Sequence, residues 1–343
     1  MQKEIKEEKA LLNEDGELTE AGYSKKMLLK YNRNSIKAKK LRIKEWDYYL
    51  VYNDKFGLAL TVADNSYMGL YSATFLDFTN KREVTKTNMR FMTRGKTNMP
   101  SSTYSGNVEV KSKKYNYFFE RTLNKRELNV YIKNFYKDES LIANITLTDE
   151  PEESMVIATP FWEKKNAFYY NQKIVGFKAS GVIKIGEQKF DLPEGTLGIL
   201  DWGRGVWPYK NTWYWGAGVR EIGGKKFGFN IGYGFGDTSN ATENMLFYEG
   251  KAHKLEEVKF NIPQTEKGKD DFLKPWTFTS SDGRFEMEFT PILDRHSNAS
   301  ALIISSNQHQ VFGRFSGKAI LDDGKKIEIR NFLGFAEKVV NRW

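Results

Sequence analysis

Short apolar and aromatic segments alternate with two-residue turn sequences through most of this chain, and they constrain its fold more than any other feature. Three of the turns are Gly223-Gly224, Asp282-Gly283 and Asp323-Gly324. Such pairs close tight hairpins, because both positions must accept a positive φ. Short strands at a spacing of roughly 8–12 residues are typical of sandwiches and barrels. The sequence therefore predicts an all-β, antiparallel fold.

Several hairpins can be placed along the chain. Residues 46–52 and 56–63 are predicted to pair around Asn53-Asp54-Lys55, and residues 67–78 to add a third strand. Further pairs are predicted for residues 115–123 with 127–135, 213–222 with 225–233, and 276–280 with 284–290. No strand is followed by a long amphipathic helix, which argues against a Rossmann or TIM fold. Aromatic residues make up 15% of the chain, and they favour strands.

The chain is expected to divide into two domains, since 343 residues suffice for two of ordinary size. The first 40 or so residues lack the strand pattern and are predicted to form a helical or irregular arm. The pattern lapses again between residues 166 and 176. We therefore predict an N-terminal arm plus β-barrel over residues 1–172 and a C-terminal β-barrel over residues 173–343.

Composition excludes several function classes. The chain has no Cys, which excludes disulfides, thiolate catalysis and Cys-ligated metals. Its three histidines, His253, His296 and His309, have no i, i+4 pair, and we predict neither a metal site nor a cofactor. The charged N-terminal segment has no apolar core of a signal peptide, and no apolar run approaches the ~20 residues of a membrane span. A cytoplasmic location is predicted.

Much of the net charge of +9 comes from one segment. Lys25 to Lys44 contains nine Lys or Arg and no Asp or Glu. One interpretation is contact with an anionic membrane surface. The alternative, which we favour, is a solvated helix and an edge strand whose lysines discourage pairing. No nucleic-acid recognition motif accompanies the charge, so nucleic acid is not a predicted partner.

The candidate site is marked by tryptophan. Four of the eight tryptophans lie close together, at Trp202, Trp207, Trp213 and Trp215. Trp213 and Trp215 occupy alternating positions of a predicted strand and would face the same side. They form either one wall of a ligand pocket or part of a barrel core. Barrels of about eight strands can hold one small ligand, so the two roles can coincide.

Asp201 and Arg204 lie among these rings. Burial beside Trp202 would raise the pKa of Asp201 and suit it as a proton donor to an alkene. The alternative is a structural ion pair between Asp201 and Arg204 on the same face of the strand. Arg204 is otherwise suited to bind the carboxylate or phosphate head group of an amphiphile whose tail lies along Trp207 and its neighbours.

Glu243 and His253 are the second candidate site: they would form an acid–base pair near neutral pH if the hairpin around Gly250 brings them together. The alternative is that His253 belongs to a surface pair. The nearby glycine-rich segment from Gly232 to Gly236 is not followed by a helix, and we interpret it as a bend beneath large aromatic residues rather than a phosphate loop.

Motifs in three parts of the chain resemble the bacterial family DUF2804, whose function is unknown. They are Leu-Leu-Asn-Glu-Asp-Gly from Leu11, Asp-Trp-Gly-Arg-Gly from Asp201, and Gly-Phe-Ala-Glu from Gly334 with Arg342-Trp343. That family is similar in turn to AttH proteins and carotenoid 1,2-hydratase, which adds water to a carbon–carbon double bond of an isoprenoid. The resemblance implies two tandem lipocalin-like (calycin) barrels, although the lipocalin Gly-x-Trp signature is not evident. A shared fold does not carry function.

Three functions remain open. The leading one is binding of a lipophilic or amphipathic small molecule by Trp202, Arg204, Trp207, Trp213 and Trp215. The second is a hydratase or isomerase of an unsaturated lipid or isoprenoid, with Asp201 as the acid and Glu243 and His253 as further catalytic candidates. The third is a structural or interaction module without a ligand.

Overall fold

The computed structural model describes residues 2–301 and 304–342, which form 24 strands and two 3-10 turns. Trp343, part of one motif named above, lies outside the described residues. The first twelve strands are β1 Lys9–Ala10, β2 Gly22–Ser24, β3 Leu29–Lys30, β4 Ile43–Tyr52, β5 Phe56–Asp64, β6 Met68–Asp77, β7 Arg82–Phe91, β8 Val108–Lys111, β9 Tyr115–Arg121, β10 Arg126–Tyr136, β11 Glu139–Thr148 and β12 Met155–Pro160.

The remaining strands are β13 Phe168–Ile185, β14 Gln188–Asp191, β15 Leu197–Val206, β16 Lys210–Ile222, β17 Lys225–Tyr233, β18 Met245–Tyr248, β19 Lys251–Lys254, β20 Val258–Asn261, β21 Trp276–Ser280, β22 Phe285–Ala301, β23 Ile304–Ile320 and β24 Lys326–Arg342. The all-β prediction is confirmed. The predicted hairpins are present, and the pairs β4–β5, β9–β10, β16–β17 and β23–β24 turn at the expected residues. Within the described chain, no helix is long and apolar enough to span a membrane.

Two large antiparallel sheets carry the architecture. The first sheet has the order β7-β6-β5-β4-β15-β13-β11-β10-β9-β8, with β12, β14 and β2 attached around β13. The second sheet has the order β19-β18-β17-β16-β24-β23-β22-β21-β20. Each sheet curls, so that β7 approaches β10 in the first and β17 approaches β20 in the second. Two curled sheets in tandem match the predicted pair of barrels.

The N-terminal arm is largely irregular, one of the two predicted alternatives, and the predicted domain boundary falls within a strand. The arm contains short strands and two 3-10 turns, Arg33–Ser35 and Lys40–Arg42, and no α-helix among its described residues. The predicted boundary at 172/173 lies inside β13, and the chain passes to the second sheet only after Val206. The strand pattern lapses near Gly176 because a bulge there shifts the register of β13 against β15.

The backs of the two sheets pack on each other. The larger hydrophobic core combines residues of the first sheet, such as Leu50, with residues of the second, such as Val219 and Phe335. A smaller core of aromatic rings fills the curl of the second sheet. Tyr52 joins the sheets by hydrogen bonds as well: its hydroxyl accepts from the Val219 amide at 2.7 Å and donates to a backbone carbonyl of the second sheet.

Tyr52→Phe is expected to destabilise the protein by about 1–3 kcal/mol, because it leaves the buried Val219 amide without its hydroxyl acceptor. The free energy of unfolding in urea measures this loss. Tyr131→Phe, at an exposed tyrosine of the first sheet, is the matched control and should change stability little. Equal stability of the two variants would contradict a role for Tyr52 in holding the sheets together.

Candidate functional site

A cavity of about 390 Å³ lies between the two sheets. Six aromatic residues line one end of it: Trp46, Trp207, Trp213, Trp215, Tyr169 and Phe235. The ring of Trp207 contacts those of Trp46 and Trp213, with centroids 5.8 and 5.4 Å apart. Trp213 and Trp215 thus line the same wall, as their alternation along the strand predicts.

The wall formed by the first sheet is a row of directly paired residues. Each residue in the row is the register partner of the next on the neighbouring strand: Lys173, Asp201, Tyr48, Thr61, Ser72 and Thr87. All six line the cavity. Paired positions of adjacent strands present their side chains on the same face, so the register alone creates a strip that runs from an ion pair to a set of hydroxyl groups.

The second sheet contributes two rows of the same kind. One is Trp215, Glu337, Gln310 and Arg295, and the other is Trp213, Val339, Gln308 and Ser297. All of these residues line the cavity as well. The rows of the second sheet therefore change along the cavity from aromatic rings to amide, hydroxyl and guanidinium groups, and the row of the first sheet changes from an ion pair to hydroxyl groups. Together with the aromatic residues, this gives the site an amphipathic character.

Asp201 is held by three donors at the aromatic end. Its carboxylate forms an ion pair with the Lys173 ammonium at 2.9 Å and accepts from Asn171 Nδ2 at 2.6 Å and Trp46 Nε1 at 3.1 Å. The Lys173 ammonium also lies 3.8 Å from the centre of the Trp215 ring, a cation–π distance. Asp201 is thus the acceptor of a buried ion pair, and not a carboxyl group isolated beside a tryptophan.

The expected ion pair between Asp201 and Arg204 does not form. The two residues are three positions apart, so their side chains point to opposite faces of β15. Arg204 is fully buried inside the curl of the first sheet, where Nη2 contacts Asp47 Oδ1 at 3.0 Å and the guanidinium lies 4.1 Å from the Trp202 ring centre. Among the predicted ligand-binding residues, Arg204 and Trp202 therefore lie away from the cavity, whereas Trp207, Trp213 and Trp215 line it.

Glu243 and His253 are not brought together. The hairpin forms, but its register places His253 opposite Leu246, and Glu243 precedes the first strand of the pair. His253 contacts Asp322 instead, and burial lowers its pKa. The predicted acid–base pair is wrong, because two residues that flank a hairpin need not share a face.

Glu243 lies behind the cavity wall. Its Oε2 accepts from the hydroxyl of Tyr169, a lining residue, at 3.3 Å, and burial raises its pKa to about 7 against the opposing charge of Lys173. Its other oxygen, Oε1, is buried and has no hydrogen-bond partner among the described residues. This carboxyl group can hold a proton at neutral pH in contact with a hydroxyl that faces the cavity.

Sequence reasoning missed several residues of the site. Glu337 accepts hydrogen bonds from Trp213 Nε1 at 2.9 Å and from the side-chain amides of Gln308 and Gln310, and burial raises its pKa. Only its place in the Gly-Phe-Ala-Glu motif marked it. Lys173 lies in the stretch where the strand pattern lapses, and Arg295 has no local signal in the sequence.

The basic segment is largely engaged in intramolecular contacts. Arg33 pairs with Glu45, Lys25 with Glu153 and Lys30 with Glu8. The Lys44 ammonium lies 4.1 Å from the Tyr67 ring centre, and burial lowers its pKa to about 7. No α-helix forms among the described residues between Lys25 and Lys44, and Lys44 lies in β4, which pairs on both sides, so the favoured interpretation as a solvated helix and an edge strand is not confirmed. Contact with an anionic membrane stays a prediction. No cluster of His, Asp and Glu in the described ranges could hold a metal ion.

The family model for a domain of unknown function, DUF2804, matches residues 2–343. The chain belongs to this family. A comparison with curated proteins gave no match. Two crystal structures are similar: an AttH protein from Nitrosomonas europaea (TM-score 0.56, 12% identity, 90% of this chain and 96% of that one) and kievitone hydratase from Nectria haematococca (TM-score 0.51, 11% identity, 98% of each chain). At these identities the likeness shows a shared fold, consistent with a distant AttH-like relationship.

We expect Glu243→Gln to change how stability depends on pH. The folded-state pKa of about 7 lies above the ordinary value of 4.5, so between these values the folded protein retains a proton that the unfolded chain has released. The contribution of Glu243 to stability therefore falls as pH rises through this window and is constant above it. As pH rises from 5 to 7.5, the free energy of unfolding of the Gln variant should increase by on the order of 2 kcal/mol relative to that of wild type.

Urea unfolding at pH values across this window measures the effect. The buried Lys44 and Lys254, whose pKa values are lowered to about 7, act in the opposite direction and mainly above the window. Glu187→Gln, at an exposed turn, is the control and should follow wild type. Parallel curves for Glu243→Gln and wild type would show that Glu243 titrates normally.

Proposed function

We propose that this protein binds a small lipophilic or amphipathic molecule in the cavity between its two sheets. The observation that carries the proposal is an unfilled volume of about 390 Å³ bounded by six aromatic residues at one end and by polar groups at the other. Ligand pockets in proteins typically measure roughly 300–1,000 Å³ and combine apolar walls with a few placed polar groups.

The orientation of the tryptophans supports this function. Trp213 Nε1 donates to Glu337 at 2.9 Å, and Trp215 Nε1 donates to Asn230 at 2.7 Å. With their polar atoms bonded to the protein, the rings offer apolar surface to the cavity. A wall that is already ordered loses little conformational entropy when a ligand binds.

The position of the cavity differs from that of a simple lipocalin-like barrel, where the ligand occupies the barrel interior. Here Arg204 and Trp202 fill the interior of the first curl, and aromatic side chains such as Phe289 and Phe315 fill that of the second. In the proposed function the two calycin-like units therefore bind the ligand between them.

A second candidate function is a hydratase or isomerase of an unsaturated lipid or isoprenoid. One of the structures that share the fold is a kievitone hydratase. Adding water to a double bond requires a proton donor to one carbon and a base that removes a proton from the attacking water. Asp201, the acid that the sequence predicts, lines the cavity as a carboxylate that accepts from three donors, which suits it better as the base. The Tyr169–Glu243 pair supplies the proton-holding group at the same end.

Trp213→Ala is expected to weaken binding of cis-parinaric acid, a fluorescent polyunsaturated fatty acid, by roughly tenfold, because it removes one apolar wall of the cavity. The probe's own emission, excited directly, reports the affinity. Trp162→Ala is the matched control, since this tryptophan is 81% exposed and outside the cavity lining. If the two variants bind alike, the binding hypothesis loses its main support and a structural module becomes the better description.

Asp201→Asn separates binding from catalysis. An enzyme that uses Asp201 would lose turnover in this variant, measured as the gain of one water by the probe or by a molecule extracted from the native protein, while still taking up the ligand. The change also leaves Lys173 buried without its anion, at a cost on the order of 3–5 kcal/mol. Lys173→Gln combined with Asp201→Asn removes both charges and serves as the folding control. Turnover that survives in Asp201→Asn would exclude Asp201 as a catalytic residue.

A further inference from the structure

Arg295 is a partly buried arginine without an acidic partner among the residues that the structure describes. Three other partly or fully buried arginines each pair with an acid. Arg33 pairs with Glu45, Arg126 with Glu150 and Arg204 with Asp47. Across residues 2–301 and 304–342, no acidic side chain lies within ion-pair distance of Arg295. Its guanidinium donates to the side-chain oxygen of Gln310 at 3.0 Å.

The protein orients this guanidinium without neutralising it. Gln310 accepts from Arg295 through Oε1 and donates through Nε2 to Glu337 at 3.1 Å, and Glu337 in turn accepts from Trp213. The amide of Gln310 thus separates the cation from the buried carboxylate. A planar guanidinium held in place and lacking a carboxylate partner is suited to bind a carboxylate or phosphate through two parallel hydrogen bonds.

Arg295 occupies the polar end of the cavity. It is the last member of the row that begins at Trp215 on the second sheet. Burial raises the pKa of Tyr48, and the positive charge of Arg295 opposes that rise, as expected for a cation that faces this lining hydroxyl. The first sheet supplies further hydroxyl donors to this cavity, at Ser72 and Thr87.

We propose that the ligand of this cavity is an anionic amphiphile whose carboxylate or phosphate head group binds Arg295 while its apolar part lies among the tryptophans. The inference rests on the proposed binding function and adds the chemical class of the ligand and its orientation. It also moves the head-group site from Arg204, which the sequence indicated, to an arginine of the second sheet. Three acids also line the cavity: Glu83, Asp201 and Glu337. Asp201 is paired with Lys173, whereas Glu83, whose carboxylate accepts from Thr85 at 2.6 Å, is expected to lower the affinity for anions.

The test compares cis-parinaric acid with its methyl ester, which has the same tail and no charge. Wild type should bind the acid more tightly. In Arg295→Gln the affinity for the acid should fall roughly 10- to 100-fold and that for the ester less than twofold, because only the acid loses a charge-assisted contact. Arg295→Lys keeps the charge but not the planar guanidinium, so its affinity for the acid should lie between those of wild type and Arg295→Gln. Glu83→Gln should tighten binding of the acid and leave the ester unchanged.

Arg330→Gln is the matched control, since Arg330 is an exposed arginine that pairs with Glu328 outside the cavity. Displacement of the bound probe by dodecanoate, dodecyl phosphate and dodecanol distinguishes the sources of the anion: dodecanol should compete least, and the stronger of the two anions indicates the natural head group. Urea unfolding confirms that Arg295→Gln is folded.

Two results would overturn the proposal in distinguishable ways. If wild type binds the acid and the ester with the same affinity, or if Arg295→Gln weakens both equally, the anion site is refuted and ligand binding stands. If wild type binds neither probe and dodecanol, dodecanoate and dodecyl phosphate show no binding by calorimetry, the proposed binding function fails together with the inference.

Discussion

The buried ion pair between Lys173 and Asp201 is the interaction on which the cavity depends. It joins two neighbouring strands of the first sheet, and through the Trp215 ring it contacts the second sheet. Taking two charges out of water is expensive, so such a pair is a poor source of stability compared with packed apolar side chains. Its presence where the two sheets face each other is therefore better explained by what it does to the space around it: a fixed polar group keeps this end of the cavity from closing into a continuous apolar core.

The same logic distinguishes the Lys173–Asp201 pair from another buried ion pair of the first sheet, Arg204–Asp47. The Arg204–Asp47 pair is enclosed in the curl, with the remaining guanidinium donors directed at backbone carbonyls, including those of Trp46 and Pro100. Neither residue of this pair lines the cavity. Lys173 and Asp201 face the other side of the sheet, where the second sheet covers them incompletely. One strand, β15, thus carries a structural ion-pair partner on one face and a cavity residue on the other.

How much the sequence predicted follows from the range of the interactions involved. A hairpin such as the one at Gly223-Gly224 is a local structure, and the shared face of Trp213 and Trp215 requires only that they lie on a strand. Both could therefore be predicted directly from the sequence. The Lys173–Asp201 pair depends on the register between strands distant in sequence, and a bulge at Gly176 hides the strand that carries Lys173. The Asp201–Arg204 pair was wrong for a simpler reason: a separation of three residues reverses the face of a strand.

The rows of paired residues explain how the chemistry of a cavity between two sheets can change from one end of the cavity to the other. In each sheet the register carries rows of side chains from strand to strand, so the chemistry of the cavity changes in steps of one strand width, roughly 4.8 Å. On the second sheet the steps lead from Trp215 through Glu337 and Gln310 to Arg295. Because rows of both sheets line the same cavity, a change in how the sheets pack would shift the hydroxyl groups of the first sheet relative to the guanidinium of the second. The contacts that fix the sheets, such as those of Tyr52, therefore control the spacing between the groups that would recognise a ligand, although they lie outside the cavity lining.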